Sequence, residues 1–342
     1  MLIADQHPVR PILQRALQGL APSREECTAL LALPEHSSEA RELMAVADQV
    51  TRKRFENTAV LFGQIGIETA PCPGACDFCS FSSKLQSVER HRLPIEAIVE
   101  KARAFTASGD LFALFLMTMH DWDLDALEPI VQAVRAGIPS HTALVVNVGD
   151  FGLVRAKRLR ELGVSGAYHA RRLREGLDTA LRPEARVRTY DAICEAGLDL
   201  YTCVEPIGPE HGAEELVEQM WLGVERESFQ HAAMRRVSFQ GSPLAARGMI
   251  TNLRLAQVTA VVALASLGSR RTTNIAVHEP NLLGLVSGAN AIYAETGANP
   301  RDLTSETSQG RGFDVARAKQ MLYEAGFSAL GRADGSRVPL RA

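Results

Sequence analysis

The sequence of 342 residues predicts an α/β fold, a parallel (β/α)8 barrel of TIM type behind an N-terminal helical extension. Three observations carry that expectation. Short apolar runs alternate with segments whose apolar residues recur three or four apart, and eight such runs follow residue 58. The first 58 residues show helical spacing only. No Gly-x-Gly-x-x-Gly turn or phosphate-loop lysine follows any run, which argues against an open doubly wound sheet.

In the extension, Ser23-x-x-Glu26 is a capping box that opens a helix through Leu31, so Cys27 is a packing residue. A second helix runs from about Ser38 toward Phe55. The first strand is expected at 59–68, and Ile95, Ile98, Val99, Ala102 and Phe105 mark the helix after it. Strands at 111–118, 143–148 and 166–170 alternate with helices at 124–136, 153–162 and 187–196. Gly197 is the C-terminal stop of the last of these. The fifth to eighth strands are expected at 199–205, 236–240, 273–277 and 291–295, with a helix at 253–267. A final helix spans 314–325. The simplest partition is residues 1–58 as the extension and 59–342 as the barrel with its C-terminal closing segment.

Composition narrows the function classes. A net charge of −3 and the lack of a basic tract give no reason to expect nucleic acid. No run reaches the ~20 apolar residues of a membrane span, and residues 1–20 have no apolar core of signal-peptide length. Three of the six cysteines share one loop, which is no disulfide framework, so a reducing cytoplasm is expected.

That loop is Cys72-Pro73-Gly74-Ala75-Cys76-Asp77-Phe78-Cys79, at the carboxyl end of the first strand. Thiolates are soft ligands that select iron–sulfur clusters or zinc. Three are one short of a structural zinc site, and Cys27, Cys194 and Cys203 form no second close pair. A four-iron cluster with three protein ligands leaves one iron open to a small molecule. Pro73, Gly74 and Ala75 let the chain turn tightly beside a bulky cluster.

The Cys-x-x-x-Cys-x-x-Cys pattern, with Phe78 before the last cysteine, resembles the radical S-adenosylmethionine (SAM) enzymes. The resemblance implies a [4Fe-4S] cluster on Cys72, Cys76 and Cys79, with SAM chelating the open iron. It implies an electron from an external donor such as flavodoxin or ferredoxin. Reductive cleavage of SAM then gives a 5′-deoxyadenosyl radical that takes hydrogen from a small-molecule substrate. Leu181-Arg182-Pro183-Glu184 through Gly197, the stretch Gln240-Gly241-Ser242-Pro243-Leu244 and Ser287-Gly288-Ala289-Asn290 resemble the branch that holds biotin synthase, the hydrogenase-maturation enzyme and methylornithine synthase.

Carried over residue by residue, the resemblance places Phe78 against the adenine, and Thr118 and His120 near the SAM amine. Thr118-Met119-His120 replaces the Gly-Gly-Glu usual in the family. Arg171 or Arg172 would reach the SAM carboxylate or ribose with Glu175 nearby. Arg186 suits a carboxylate through its two-donor fork. Gly241 and Pro243 would shape the adenine site. Biotin synthase holds a second cluster on three further cysteines and an arginine. Tyr201 and Asn274 stand here at one of those cysteine positions and near the arginine, so a second cluster held that way is excluded.

Alternation puts Tyr201, Cys203 and Glu205 on one face of the fifth strand. Glu205, near the strand's carboxyl end, needs a partner or a substrate cation. Cys203 is either a radical partner or a small core thiol. His278, with Glu279, is placed to bind a polar substrate or move a proton. Asn147 and Asp150 are lesser candidates, and residues 305–311 are a candidate lid. The expectation is a cytoplasmic radical SAM enzyme that rearranges or cleaves a small polar metabolite in cofactor or natural-product biosynthesis. Radical methylation, sulfur insertion and a non-catalytic cluster scaffold are the alternatives.

Overall fold

Helices α1 (Arg10–Leu17), α2 (Arg24–Leu31) and α3 (Ser38–Arg54) precede the first strand in the computed structural model, which describes residues 7–85, 89–239, 241–295 and 313–341. The capping box forms: Ser23 Oγ accepts from the Glu26 amide at 3.2 Å, and Glu26 returns a bond to the Ser23 amide at 3.0 Å. Helix α1, eight residues long, lies within the stretch expected to be helical, though no separate helix was placed there. Its Ile12, Leu13 and Ala16 are buried.

The barrel elements then follow in order. They are β1 (Thr58–Gly66), the small hairpin β2 (Glu68–Thr69) and β3 (His91–Arg92), α4 (Ile95–Thr106), β4 (Ala113–Met117), α5 (Leu124–Gly137), β5 (Ala143–Asn147), α6 (Leu153–Glu161), β6 (Gly166–Tyr168), α7 (Pro183–Glu195), β7 (Asp199–Ile207), α8 (Ala213–Val224), β8 (Gln230–Arg235), α9 (Asn252–Ala265), β9 (Asn274–His278), α10 (Leu282–Leu285), β10 (Ala291–Ala294) and α11 (Val315–Glu324). Strands β1 and β4 to β10 pair in parallel with their sequence neighbours, and β10 returns to β1, so the barrel closes. All backbone edges are thereby paired within the ring.

Two expectations are corrected. The sixth barrel strand is β8 at Gln230–Arg235, not residues 236–240, which lie beyond it. Its first residues, Gln230 and His231, are polar and hid the strand. Burial is tolerated because Gln230 accepts from the Tyr293 hydroxyl at 2.9 Å and His231 Nδ1 meets Ser266 Oγ at 3.1 Å. The chain also continues past the last helix into β11 (Ala329–Gly331) and β12 (Arg337–Pro339). The stagger between β1 and β4 leaves Thr58 and Ala59 without a β4 partner, and β11 pairs there instead.

Asn290 ties the closure. Its backbone donates to Ile275 O and accepts from the Val60 amide, while its side chain accepts from the Ile275 amide at 2.8 Å and donates to Thr58 O at 3.1 Å. One residue thus bonds β9 to β1 across the start of β10. Gly288 just before it has φ +106°, and a Cβ there would stand 2.9 Å from the Ala263 Cβ.

Inward-facing positions alternate as the pleat requires. Phe62, Phe115, Tyr201 and Tyr293 fill the middle of the barrel, with ring centroids 4.8–6.0 Å apart. Tyr201 and Cys203 point inward as expected, and Glu205 on the same face is buried.

Candidate active site

The cysteine loop leaves the end of β1 and folds back on itself. The Cys72 amide donates to Phe81 O at 2.7 Å and the Ser83 amide to Cys72 O at 3.0 Å. Ala75 takes the left-handed conformation, φ +46°, between the first two cysteines. Three bonds fasten the loop from outside. The Ala180 amide donates to Gly74 O at 2.8 Å, the Asp77 amide to Asp178 O at 2.9 Å, and Ser242 Oγ to Asp77 O at 2.8 Å. Ser242, in a segment that resembles the biotin-synthase branch, and Asp178 and Ala180, just before another, therefore brace the cysteine loop.

Cys72, Cys76 and Cys79 are free, half-buried thiols that line one cavity of about 260 Å³ at the C-terminal end of the barrel strands. Burial pushes the Cys72 thiol up and the Cys76 thiol up to about 12. Phe78, Thr118, His120 and Arg186 share the cavity wall, as do Asn147 and Arg172. Arg171 does not: its guanidinium pairs with Glu218 at 3.0 Å, on α8 outside the barrel. Of the two adjacent arginines, Arg172 is the one at the cavity. Gly241 and Pro243 are exposed and outside the lining, and the contact from their loop is the Ser242 bond to Asp77. The candidate lid at 305–311 lies outside the described residues.

Arg186 is buried, with Nη1 donating to Asp150 at 2.8 Å and Nη2 to Ala170 O at 2.9 Å. Its Nε lies 3.5 Å from Glu175, whose carboxyl burial raises. Burial would raise Asp150 too, but the His169 hydrogen bond and the Arg186 charge outweigh it, and hold that carboxyl well below the usual range. Burial lowers His120. Arg172 pairs with Glu205, and the Tyr168 hydroxyl donates to the other Glu205 oxygen at 2.9 Å. Glu205 thus has its internal arginine.

Cys203 is buried beneath that group, outside the cavity lining, and burial pushes its thiol up to about 12. His278 stacks on Tyr293 at 4.2 Å between centroids, and burial lowers it to about 4. It too lies outside the cavity lining.

Glu68 and Gly149 line the cavity without having been singled out in the sequence. Glu68 is buried and pairs with Arg92 across the hairpin at 3.2 Å. A Cβ at Gly149 would overlap the His120 carbonyl oxygen and lie 2.7 Å from its carbon. A glycine directly after the Asn147-Val148 strand end was the available signal for such a close approach.

Aligned with biotin synthase of Corynebacterium urealyticum, the chain is 28% identical over 197 residues, 55% of this chain and 56% of that protein. Against biotin synthase of Mycobacterium bovis it is 27% identical over 199 residues, 55% of this chain and 54% of that one. The chain thus spans about half the length of the curated relatives it matches. No family model matches. Among solved structures, the FeFe-hydrogenase maturase HydG from Carboxydothermus hydrogenoformans superposes with a TM-score of 0.77 at 18% identity, covering 94% of this chain and 79% of that one.

The chain is thus similar over about half its length to biotin synthases, and it shares its fold with HydG, in line with the resemblance to the biotin-synthase-like branch of the radical SAM enzymes. Methylornithine synthase superposes with a TM-score of 0.75 at 17% identity, covering 92% of this chain and 96% of that one, and shares the fold. Family members use a [4Fe-4S] cluster and SAM. The donor set here fits such a cluster: three soft thiols face one cavity, with no fourth cysteine among its lining. Among the described residues no three His, Cys, Asp or Glu side chains converge as a single ion would require. Separate thiols suit a cluster, because each ligates a different iron.

Proposed function

We propose that this chain cleaves SAM reductively and acts on a small polar metabolite at the mouth of the barrel. Cys72, Cys76 and Cys79 would hold the [4Fe-4S] cluster, which, with SAM bound, supplies one-electron cleavage of the sulfonium to a 5′-deoxyadenosyl radical. One observation carries the reading: the three thiols share a single cavity with Phe78, Thr118, His120, Arg172 and Arg186. Arg172 and Arg186 supply guanidinium donors toward a carboxylate. Phe78 supplies an apolar face for the adenine. Gly241 and Pro243, through the Ser242 bond to Asp77, would hold the backbone beside Phe78.

The aromatic filling supports a small substrate held above Phe62, Phe115, Tyr201 and Tyr293. Of the candidates on β7 and β9, Glu205 would act through Arg172 at the cavity wall, while Cys203 and His278 lie outside the lining. With Tyr201 filling the place of a cluster cysteine, rearrangement or bond cleavage is favoured over sulfur insertion. The electron would come from an external donor such as flavodoxin or ferredoxin, and free thiols suit the reducing cytoplasm. Among the described residues no helix is long and apolar enough to cross a membrane.

Anaerobic reconstitution with iron and sulfide, then reductant and SAM, tests the reading. The expected result is a four-iron cluster and 5′-deoxyadenosine, both lost in Cys79→Ala. A wild-type protein that takes up no cluster, or one that yields no 5′-deoxyadenosine, overturns it.

A further inference from the structure

Resting on that reading, we propose that Asp150 is a positioning residue that locks Arg186 into the wall of the SAM cavity, beside His120, through a buried hub completed by His169 and Thr189. The hub joins four segments. Asp150 follows β5, His120 follows β4, His169 follows β6, and Arg186 and Thr189 lie on α7. Oδ1 of Asp150 accepts from Arg186 Nη1 at 2.8 Å and lies 3.3 Å from His169 Nε2 and 3.4 Å from the Thr189 hydroxyl, whose one hydrogen is shared with the Ala185 carbonyl at 3.1 Å. Oδ2 lies 3.8 Å from His120 Nε2. The Trp122 indole donates to the Asp150 carbonyl at 3.4 Å.

His169 is fully buried and reaches no cavity. It packs edge-on against Phe151 and Tyr190, at 6.3 and 5.5 Å between centroids. Asp150 is the charged group beside its ring, 3.3 Å from Nε2. The carboxylate is less buried than the histidine, its side chain being 23% exposed, so it stands between the cavity and the packed wall. Arg186 has five N–H donors; Asp150 and the Ala170 carbonyl engage Nη1 and Nη2, and Glu175 faces Nε at 3.5 Å, which leaves the second hydrogen of each Nη. That fixes the plane of the guanidinium while donors remain for a carboxylate ligand. An arginine held in one plane loses less freedom on binding than a mobile one.

The test is equilibrium binding of SAM to reconstituted holoprotein, read by the change in the EPR signal of the reduced cluster. Asp150→Asn is expected to bind SAM at least tenfold more weakly, with cluster content and melting temperature near those of wild type. Asp150→Glu should recover part of the affinity. In turnover, KM for SAM should rise while kcat for 5′-deoxyadenosine stays within about threefold. If Asp150→Asn does not accumulate folded, Thr189→Val removes one donor to Oδ1 without a change of shape, and is expected to weaken binding two- to threefold. Unchanged or tighter SAM binding in whichever variant is folded overturns the proposal. If wild-type holoprotein binds no SAM, it is the functional reading that fails.

Discussion

His231 should make the fold acid-sensitive, and replacing it should remove its share of that sensitivity. The ring is 1% exposed, between β8 and the helices outside it. Ser266 Oγ donates to Val262 O at 2.8 Å and so accepts from His231 Nδ1–H at 3.1 Å. The other nitrogen faces Gly223, where a Cβ would come within 2.9 Å of it. Burial lowers the imidazole to about 4, against ~6.5 in an unfolded chain. Between those values the unfolded state binds a proton that the folded state does not, so stability falls as pH falls from about 6.5 toward 4.

About 2.5 decades of proton affinity correspond to roughly 3 kcal/mol, of which roughly 2 kcal/mol is lost between pH 7 and 4.5. His278, at about 4, and His169, at about 3, act with the same sign. Urea unfolding of wild type and His231→Asn across this range isolates the residue. The variant is expected to be less stable at pH 8, and the gap should narrow by roughly 2 kcal/mol by pH 4.5. A gap that stays constant with pH would refute the argument that burial keeps this histidine neutral.

Two further outcomes follow from the packing. Gly149→Ala drives a methyl into the His120 carbonyl, so overpacking of about 1–3 kcal/mol should lower the melting temperature by several degrees. An unchanged melting curve by calorimetry would show that the β4–α5 connection yields freely. Asn290→Ala strips partners from the Ile275 amide and the Thr58 carbonyl, costing about 2–4 kcal/mol in chemical denaturation. A loss under 1 kcal/mol would mean that other groups close the barrel.

Much of the barrel was legible because apolar runs and helical periodicity are local signals. Strand β5 at Ala143–Asn147 and helix α5 at Leu124–Gly137 fall within a residue or so of expectation. Strand β8 was misplaced because its buried polar residues have partners distant in sequence, Tyr293 for Gln230 and Ser266 for His231. The choice between Arg171 and Arg172 had the same cause. Adjacent residues at a strand end point to opposite sides, and only the packed wall says which side holds the cavity.

The sequence by itself determined the initiating chemistry to look for. Three soft ligands at fixed spacing, small residues between them and an aromatic before the last are covalent facts, independent of packing. Tertiary structure alone decided what those residues face. It closed the ring through Asn290, braced the cysteine loop with Asp178, Ala180 and Ser242, and gave Glu205 its arginine. Most of these contacts join residues far apart in the chain, and burial makes each one matter, because a polar group taken from water must find its partner wherever the fold places it.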